Sequence, residues 1–222
     1  MRPLLSIGIV GGTGPAGSAL ALRLASIGHQ VLLGSREPDK SVSLVSDLVG
    51  AHAGMKLDLV GASNEMAAAC DIVVVATPWD SMGKAISPFL HLLEGKIVIS
   101  MANALSRVGG ELQATIPARG SAAQTLQASV PGAMVVAALH HLPAKELGEL
   151  GTPLDADVLV CSDHQSATTT VIELISGIPG VRCFDAGSLS QAGPIEAMTA
   201  VLINLNIRYK TRCAIRITGI KQ

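Results

Sequence analysis

Short apolar runs, each about the length of one strand, recur along the chain. The clearest is 71–78, in which residues 72–75 are all β-branched, as expected of a strand buried on both faces. The run at 56–60 alternates instead, which is typical of a strand near a sheet edge. Together the runs predict strands over residues 4–10, 30–34, 56–60, 71–78, 96–100, 133–139, 157–161 and 180–184.

Between these runs, apolar residues follow helical spacing. Leu20, Leu24 and Ile27 fall on one face of a helix over 18–28, and Gly28 is a typical helix stop. About three helical turns are also expected to end at Leu93. The spacing predicts further helices over residues 41–54, 63–70, 121–128, 164–176 and 189–214.

The alternation of strands and helices indicates the α/β class: a Rossmann-like, doubly wound, mostly parallel sheet with a small C-terminal extension. We expect residues 1–145 to form one domain. Residues 146–222 would be a smaller C-terminal part, in a second domain or in one continuous domain. Residues 105–120 carry glycines and a proline and predict an irregular lid or insertion.

The first run ends in a glycine cluster. Gly12, Gly14 and Gly17 fit the pattern G-x-G-x-x-G between a predicted strand and a predicted helix. In that context Gly12 permits the tight turn, Gly14 lets the backbone approach a pyrophosphate, and Gly17 lets the helix pack on the strand. The N–H groups at the start of the helix favour phosphate oxygens. The pattern therefore favours dinucleotide binding over a plain tight turn.

The end of the second predicted strand carries no acid and leads into Ser35 and Arg36. In dinucleotide folds a carboxylate here accepts from the ribose 2′-hydroxyl of NAD, whereas an arginine accommodates the 2′-phosphate of NADP. Arg36 offers a bidentate guanidinium, and Lys40 a further positive charge one turn later. NADP is favoured over NAD. The alternative is that both cations are solvated surface charges. An approach of Glu37 or Asp39 to the ribose would also count against NADP.

Two later strand ends are expected beside the cofactor, because ligands bind at the carboxyl ends of parallel strands. One carries Thr77 and Pro78, followed by Trp79, which either shields the cofactor or only packs. The strand over 133–139 leads into His140 and His141. Neighbouring residues of an extended chain point to opposite sides, so we expect one histidine at the site, the other at the surface, and no metal pair.

Composition narrows the class of protein. Of 222 residues, 49% are hydrophobic and 15% charged, which is ample material for a core, and the net charge of −1 gives no support for a nucleic-acid partner. No apolar run is long enough to span a membrane. The four cysteines are far apart in sequence, which favours reduced thiols in the cytoplasm over disulfides or a zinc site. They are Cys70, Cys161, Cys183 and Cys213.

The C-terminal stretch is basic. No acid follows Glu196, whereas five cations do. At helical spacing Arg208 and Arg212 share a face, which Arg216 joins if the helix continues. This asymmetry indicates either an anionic ligand or partner, or a solvated helix end with cations placed well on its dipole. The five cations are Arg208, Lys210, Arg212, Arg216 and Lys221.

The combined pattern resembles the coenzyme F420-dependent NADP oxidoreductases over nearly the whole chain. The N-terminal motif is shared with the oxidoreductase domain of membrane ferric reductases, and the central and C-terminal segments make the resemblance specific. The segments that carry it are residues 11–17, 20–25, 28–29, 33–36, 71–75, 78–79, 138–140, 143–144, 184–187, 208–210 and 215–220.

The resemblance implies hydride transfer between NADP(H) and the 5-deazaflavin ring of coenzyme F420, a co-substrate, with no metal and no acid–base residue. It also implies a homodimer, an NADP-binding domain over residues 1–145, and a coenzyme site that residues 146–222 complete. The coenzyme's phosphodiester and glutamate tail suit the basic C-terminal cluster. The residues expected to bind the two cofactors are Gly12, Thr13, Gly14, Pro15, Ala16, Gly17, Ser35, Arg36, Lys40, Thr77, Pro78, Ala138, His140, Arg208 and Arg212.

Two other functions stay open at this point. An NADPH-dependent reductase of an imine or a carbonyl needs a proton donor near its substrate, and His140, His141 and Lys145 are the obvious candidates. A non-enzymatic NADP(H) sensor is also compatible with an intact glycine loop and no acid–base group. A membrane ferric reductase is a less suitable assignment, because the sequence predicts no haem-bearing membrane region after the nucleotide-binding motif.

Overall fold

A computed structural model describes residues 5–220, so Leu4 and Lys221 lie outside the described residues. Eight strands form one sheet in the order β10-β9-β8-β5-β4-β1-β2-β3. Those strands are β1 (Ser6–Val10), β2 (Gln30–Ser35), β3 (Leu59–Ser63), β4 (Ile72–Val75), β5 (Ile97–Ser100), β8 (Met134–Ala137), β9 (Ala156–Ser162) and β10 (Val181–Asp185). A separate antiparallel hairpin consists of β6 (Leu105–Val108) and β7 (Glu111–Ala114).

Eight α-helices accompany the strands in the described chain. They are α1 (Pro15–Ser26), α2 (Pro38–Ala51), α3 (Asn64–Ala68), α4 (Met82–Ile86), α5 (Ala122–Ser129), α6 (Ala144–Gly148), α7 (Gln165–Ser176) and α8 (Ala192–Tyr209). Short 3-10 helices cover Ser87–Leu92 and Leu189–Gln191. None of the helices within residues 5–220 combines the length and the apolar character needed to cross a membrane.

The sheet confirms the predicted Rossmann-like class. Strands β1 to β5 and β8 pair in parallel, and β9 joins β8 antiparallel while β10 joins β9 in parallel. Successive residues of β4 point to opposite faces, so Ile72 and Val74 join the core under α1, α2 and α7, whereas Val73 and Val75 join the core under α3, α4 and α5. Burial on both faces explains why this run carries no polar residue.

Most predicted elements are observed, and four differ. The strand expected over 56–60 lies at Leu59–Ser63, on the sheet edge as predicted. The three helical turns expected before Leu93 break into α4 and a 3-10 segment, because Pro88 cannot donate the helical hydrogen bond and Phe89 leaves helical geometry. The region 105–120 is irregular only from residue 115 onward. It contains the β6–β7 hairpin, whose two-residue turn begins at Gly109 with φ 60°.

The last helix is also shorter than predicted. Helix α8 ends at Tyr209 rather than near Ala214, because Lys210 adopts a left-handed conformation with φ 51°. Asn206 stabilises the turn by accepting from the backbone N–H of Cys213 at 2.6 Å. The tail then runs back along β9, where the N–H of Asp157 donates to the carbonyl of Ile215 at 2.9 Å.

Candidate functional site

A cavity of about 710 Å³ opens at the carboxyl ends of β1, β2, β4 and β5. This is where open α/β sheets bind ligands. The predicted residues that it brings together belong to the glycine loop, the end of β2 and the end of β4. They are Thr13, Gly14, Pro15, Ala16, Gly17, Ser35, Arg36, Lys40, Thr77 and Pro78.

The glycine loop has the shape that its sequence predicts. The N–H of Gly12 donates to the carbonyl of Gly34 at 2.9 Å, which fixes the turn between β1 and α1 against the end of β2. Gly12 itself lies behind the loop, where a Cβ would meet Leu33 at 2.6 Å. A Cβ at Gly17 would lie 2.8 Å from the Cα of Gly12, so only glycine allows this approach of helix to loop.

Gly14 differs from these glycines, because a Cβ there would meet nothing within 4 Å. Its backbone faces the cavity as the N-cap of α1, and no side chain caps the helix. The first N–H groups of a helix have no partner within it, so they are available to an anion in the cavity. The loop and helix therefore leave room, dipole and donors for a pyrophosphate.

The sequence did not reveal Asn64 as part of the site. This buried side chain follows β3, accepts from the N–H of Gly11 at 3.0 Å and lines the cavity. It thereby fixes the start of the glycine loop, where Gly11 has φ 70°. Asn64 is the first residue of α3, and the cap of that helix is Ser63, which accepts from the N–H of Met66 at 3.1 Å.

Charged groups surround the cavity at the end of β2. Ser35 is buried and accepts from the N–H of Glu37 at 3.1 Å, whereas Arg36 is exposed at the cavity rim. Lys40 forms an exposed ion pair with Glu37 at 3.1 Å. Of the two cations, Arg36 is thus the one free of an ion pair within the described chain.

At the far end of the cavity, Thr77 is buried, and its hydroxyl has no hydrogen-bond partner among the described residues. Trp79 both lines the cavity and packs on the core, and its indole donates to the carbonyl of Leu105 at 3.2 Å. Trp79 therefore ties the hairpin to the cavity wall. Lys84 also lines this wall, which the sequence did not indicate.

A second cavity of about 350 Å³ adjoins the first at Asn103, which lines both. His140 and His141 line it together, and both are buried, at 5% and 4% exposure. The expectation that one histidine would be at the surface is wrong. Leu139 has φ 68°, so the chain turns sharply after β8 and does not continue in the extended form that the expectation assumed.

Burial lowers the pKa of His140 to about 3, helped by the neighbouring His141. Burial also lowers the pKa of His141 to about 4, against an opposing effect of Asp157. A buried imidazole resists protonation because water no longer stabilises the charged form. Both rings are therefore neutral at physiological pH, and neither is a ready proton donor.

The remaining expected residues are dispersed. Ala138 is fully buried in the core and lines neither of these two cavities. Arg208 lies outside both cavities, exposed and 4.0 Å from Glu111. Because α8 ends at Tyr209, the prediction that Arg208, Arg212 and Arg216 share one helical face is wrong.

The cations after α8 have separate partners. Arg212 lines the second cavity and pairs with Glu146 at 3.2 Å. Arg216 binds the buried carboxylate of Asp157 at 2.8 Å, which Arg182 also binds at 2.6 Å. Arg216 thus anchors the C-terminal tail to β9, and only Arg212 of these arginines is near a cavity that a coenzyme could enter.

If this cavity holds the pyrophosphate that the glycine pattern predicts, Gly14→Ala should weaken NADP(H) binding by about one to two decades. The new Cβ would occupy the space that the pyrophosphate needs, and overpacking of this kind costs about 1–3 kcal/mol. Stability should change little, since the new methyl group contacts nothing in the protein. Titration with NADPH and a thermal melt measure the two effects.

Gly8→Ala is the matched control, because the same methyl group in the middle of β1 would collide with the backbone of Ala67. It should lower the melting temperature strongly. Unchanged NADPH affinity in a folded Gly14→Ala variant would contradict the placement of the pyrophosphate.

Comparisons with known proteins agree with this geometry. The family model described as NADP oxidoreductase, coenzyme F420-dependent, matches residues 6–104. The chain is 34% identical to the F420-dependent NADP reductase of Methanocaldococcus jannaschii, covering 98% of this chain and 100% of that protein. It is 35% identical to the protein of that name from Methanothermobacter thermautotrophicus, covering 99% and 97%.

A solved structure is similar over the same length. A crystal structure from Arthrobacter sp. FB24, assigned to the F420-dependent NADP reductases, superposes with a TM-score of 0.84 at 25% identity. The match covers 97% of this chain and 100% of that one. The likeness therefore extends through the second cavity and the C-terminal tail.

Proposed function

Since the chain belongs to the coenzyme F420-dependent NADP oxidoreductases, we propose that its first cavity holds NADP(H) and that its second receives the deazaflavin of coenzyme F420. The enzyme is an NADP-dependent oxidoreductase that transfers a hydride between these two cofactors. The observation that carries the assignment of cavities is their contact at Asn103, which lets two bound rings meet.

The residues of the first cavity fit NADP(H). The open space at Gly14 and the uncapped start of α1 suit a pyrophosphate, and the free guanidinium of Arg36 suits a 2′-phosphate. The buried hydroxyl of Thr77, with no partner in the described chain, would gain one from a ligand. The cofactors supply both hydride donor and acceptor, so this chain's residues have to orient two rings and exclude water.

Reduction of an imine or a carbonyl is not favoured. That chemistry needs a proton donor at the substrate, whereas His140 and His141 are buried and neutral. Lys145 is exposed and lies 3.8 Å from Glu149. A sensor without activity is not favoured either, since the relatives that match nearly the full chain are reductases.

The assay of this function is optical. Oxidised coenzyme F420 absorbs visible light, so NADPH-dependent bleaching in the presence of the enzyme measures turnover. We expect bleaching with NADPH, much less with NADH, and little in Gly14→Ala. Turnover of imines or carbonyls without bleaching would point to the other reductase class, and nucleotide binding without any turnover would point to a sensor.

Residues from 146 onward complete the coenzyme site in this proposal. The second cavity is lined by Thr199 and Asn206 of α8 and by Arg212 of the tail, with Lys145 from the start of α6. Two cations at one cavity suit a coenzyme that carries a phosphodiester and carboxylates. The anionic tail of F420 would pass over Lys145 and Arg212, and not over Arg208.

Replacing both Lys145 and Arg212 by alanine should raise the apparent KM for coenzyme F420 by about two- to tenfold, since exposed charges contribute about 1 kcal/mol or less each. The KM for NADPH should not change. The effect should shrink at high ionic strength and be absent for a deazaflavin fragment without the tail. Arg208→Ala is the matched control, and an equal effect there would exclude the assigned path of the tail.

We also propose a homodimer through α8. Val201, Leu205 and Tyr209 are exposed at i, i+4 and i+8 of this helix, so they form an apolar stripe that a second copy would cover. Sedimentation at micromolar concentration should give a dimer, and Leu205→Glu, which places a charge in the middle of the stripe, should shift it toward monomer. A wild-type monomer under these conditions would exclude this assembly.

A further inference from the structure

Asn103 occupies the junction of the two cavities, on the loop that follows β5. Its Nδ2 donates to the carbonyl of His140 at 3.0 Å, which ties this loop to the loop after β8. The other atom of the amide, Oδ1, is buried and has no hydrogen-bond partner among the described residues. A buried acceptor without a partner costs free energy of folding, so a ligand group that donates to Oδ1 would be stabilised there.

The orientation of this amide is fixed by its partner. The His140 carbonyl can only accept, so the NH2 group of Asn103 must face it, and a flipped amide would set two acceptors against each other. The hydroxyl of Thr199 donates to the same carbonyl at 3.3 Å, which holds the carbonyl in place. Oδ1 is therefore the end of the amide directed away from the His140 carbonyl, and it is able to accept a hydrogen bond from an N–H group.

We propose that Asn103 Oδ1 accepts a hydrogen bond from the carboxamide of the nicotinamide ring, and so determines specificity for that ring and sets its orientation. The inference rests on the proposed NADP(H) site. A nucleotide whose pyrophosphate lies at Gly14 extends past Thr77 and Pro78 toward the end of β5, within the same cavity. The carboxamide is the group at that end of the nucleotide that carries N–H donors.

The test compares NADP⁺ with its 3-acetylpyridine analogue, in which a methyl group replaces the carboxamide NH2. Binding is followed by the fluorescence of Trp79, the chain's single tryptophan, which lines the cavity. The wild-type protein should bind NADP⁺ about three- to tenfold more tightly than the analogue, the effect of one hydrogen bond. Asn103→Ala should remove this preference by weakening NADP⁺ binding alone.

Two controls separate recognition from damage to the fold. Adenosine 2′,5′-bisphosphate lacks the nicotinamide, so its affinity should be equal in the wild type and the variant. Thr199→Val removes the other donor to the His140 carbonyl but leaves Oδ1 in place, and should keep the preference for NADP⁺. If Asn103→Ala fails to fold, Asn103→Leu fills a similar volume without a polar atom and serves instead.

The results that overturn the inference differ from those that overturn the proposed function. Equal binding of the two nucleotides by the wild type, or a preference that survives in Asn103→Ala, excludes the carboxamide contact while the NADP(H) site stands. If Asn103→Ala weakens the binding of coenzyme F420 and leaves the preference for NADP⁺ unchanged, the Asn103 oxygen contacts the deazaflavin instead. That result also excludes the carboxamide contact. A wild-type protein that binds neither nucleotide removes the proposed site itself.

Discussion

Arg23→Met is expected to lower the free energy of unfolding by about 3–5 kcal/mol, because three carbonyl oxygens would each lose a hydrogen bond from a charged donor, and such bonds contribute about 1.5–3 kcal/mol. Arg23 lies on α1 with 2% of its surface exposed. Its guanidinium donates to the carbonyls of Glu149 at 2.7 Å, Leu147 at 2.8 Å and Glu146 at 3.0 Å. For a chain of this size the melting temperature should fall by roughly 6–15 °C.

These carbonyls belong to the end of α6 and the turn that follows it, where Glu146 and Glu149 also accept from the backbone N–H groups of Glu149 and Thr152. Arg23 therefore adds a charged donor that caps α6 from the side of α1. Lysine lacks the forked guanidinium and should restore only part of the stability. The control is Arg119→Met, which alters an exposed arginine and should change stability by less than about 0.5 kcal/mol. Equal melts for Arg23→Met and Arg119→Met would contradict the capping role.

Arg36→Ala is expected to weaken NADPH binding by about one to two decades and NADH binding hardly at all. A hydrogen bond to a charged group contributes about 1.5–3 kcal/mol, and only NADPH presents a phosphate to this guanidinium. Arg36 is exposed at the cavity rim next to the buried Ser35, so no conformational change is needed for contact. Titrations with the two nucleotides measure the difference.

Lys40 provides the internal comparison, because its ammonium already pairs with Glu37 at 3.1 Å. Lys40→Ala should have a smaller effect than Arg36→Ala. Glu37→Gln should strengthen NADPH binding slightly by releasing Lys40 and removing a negative charge from the rim. If Arg36→Ala weakens the binding of both nucleotides equally, Arg36 does not bind the 2′-phosphate.

Most of the fold could be predicted from local sequence patterns. The segment from β1 through the glycine loop to α1 was predictable because an apolar run, three glycines and a helical repeat follow one another within about 20 residues. The hairpin was missed although Gly109-Gly110 between two short runs is a recognised turn signal. The break in the helix before Leu93 could also have been predicted, because Pro88 lies inside the helix that the spacing indicated.

Contacts between distant residues could not be predicted in this way. Arg212 and Arg216 looked like one basic cluster, yet their partners Glu146 and Asp157 lie about 60 residues earlier and separate the two arginines. The tie between Asn103 and His140 likewise depends on neighbouring strand ends. Arg23 did carry a signal, as a charged residue inside an otherwise apolar helical stretch, but its carbonyl partners lie over 120 residues away.

The central claim is that two cofactors bound in adjoining cavities exchange a hydride directly. The measurement is a single turnover with NADPH deuterated at C4, using each of the two C4 positions in turn, followed by mass analysis of reduced coenzyme F420. We predict that one label position transfers a full deuterium to the deazaflavin and that the other stays in NADP⁺. Deuterium lost to water from both positions, or no reduction of coenzyme F420, would contradict the account.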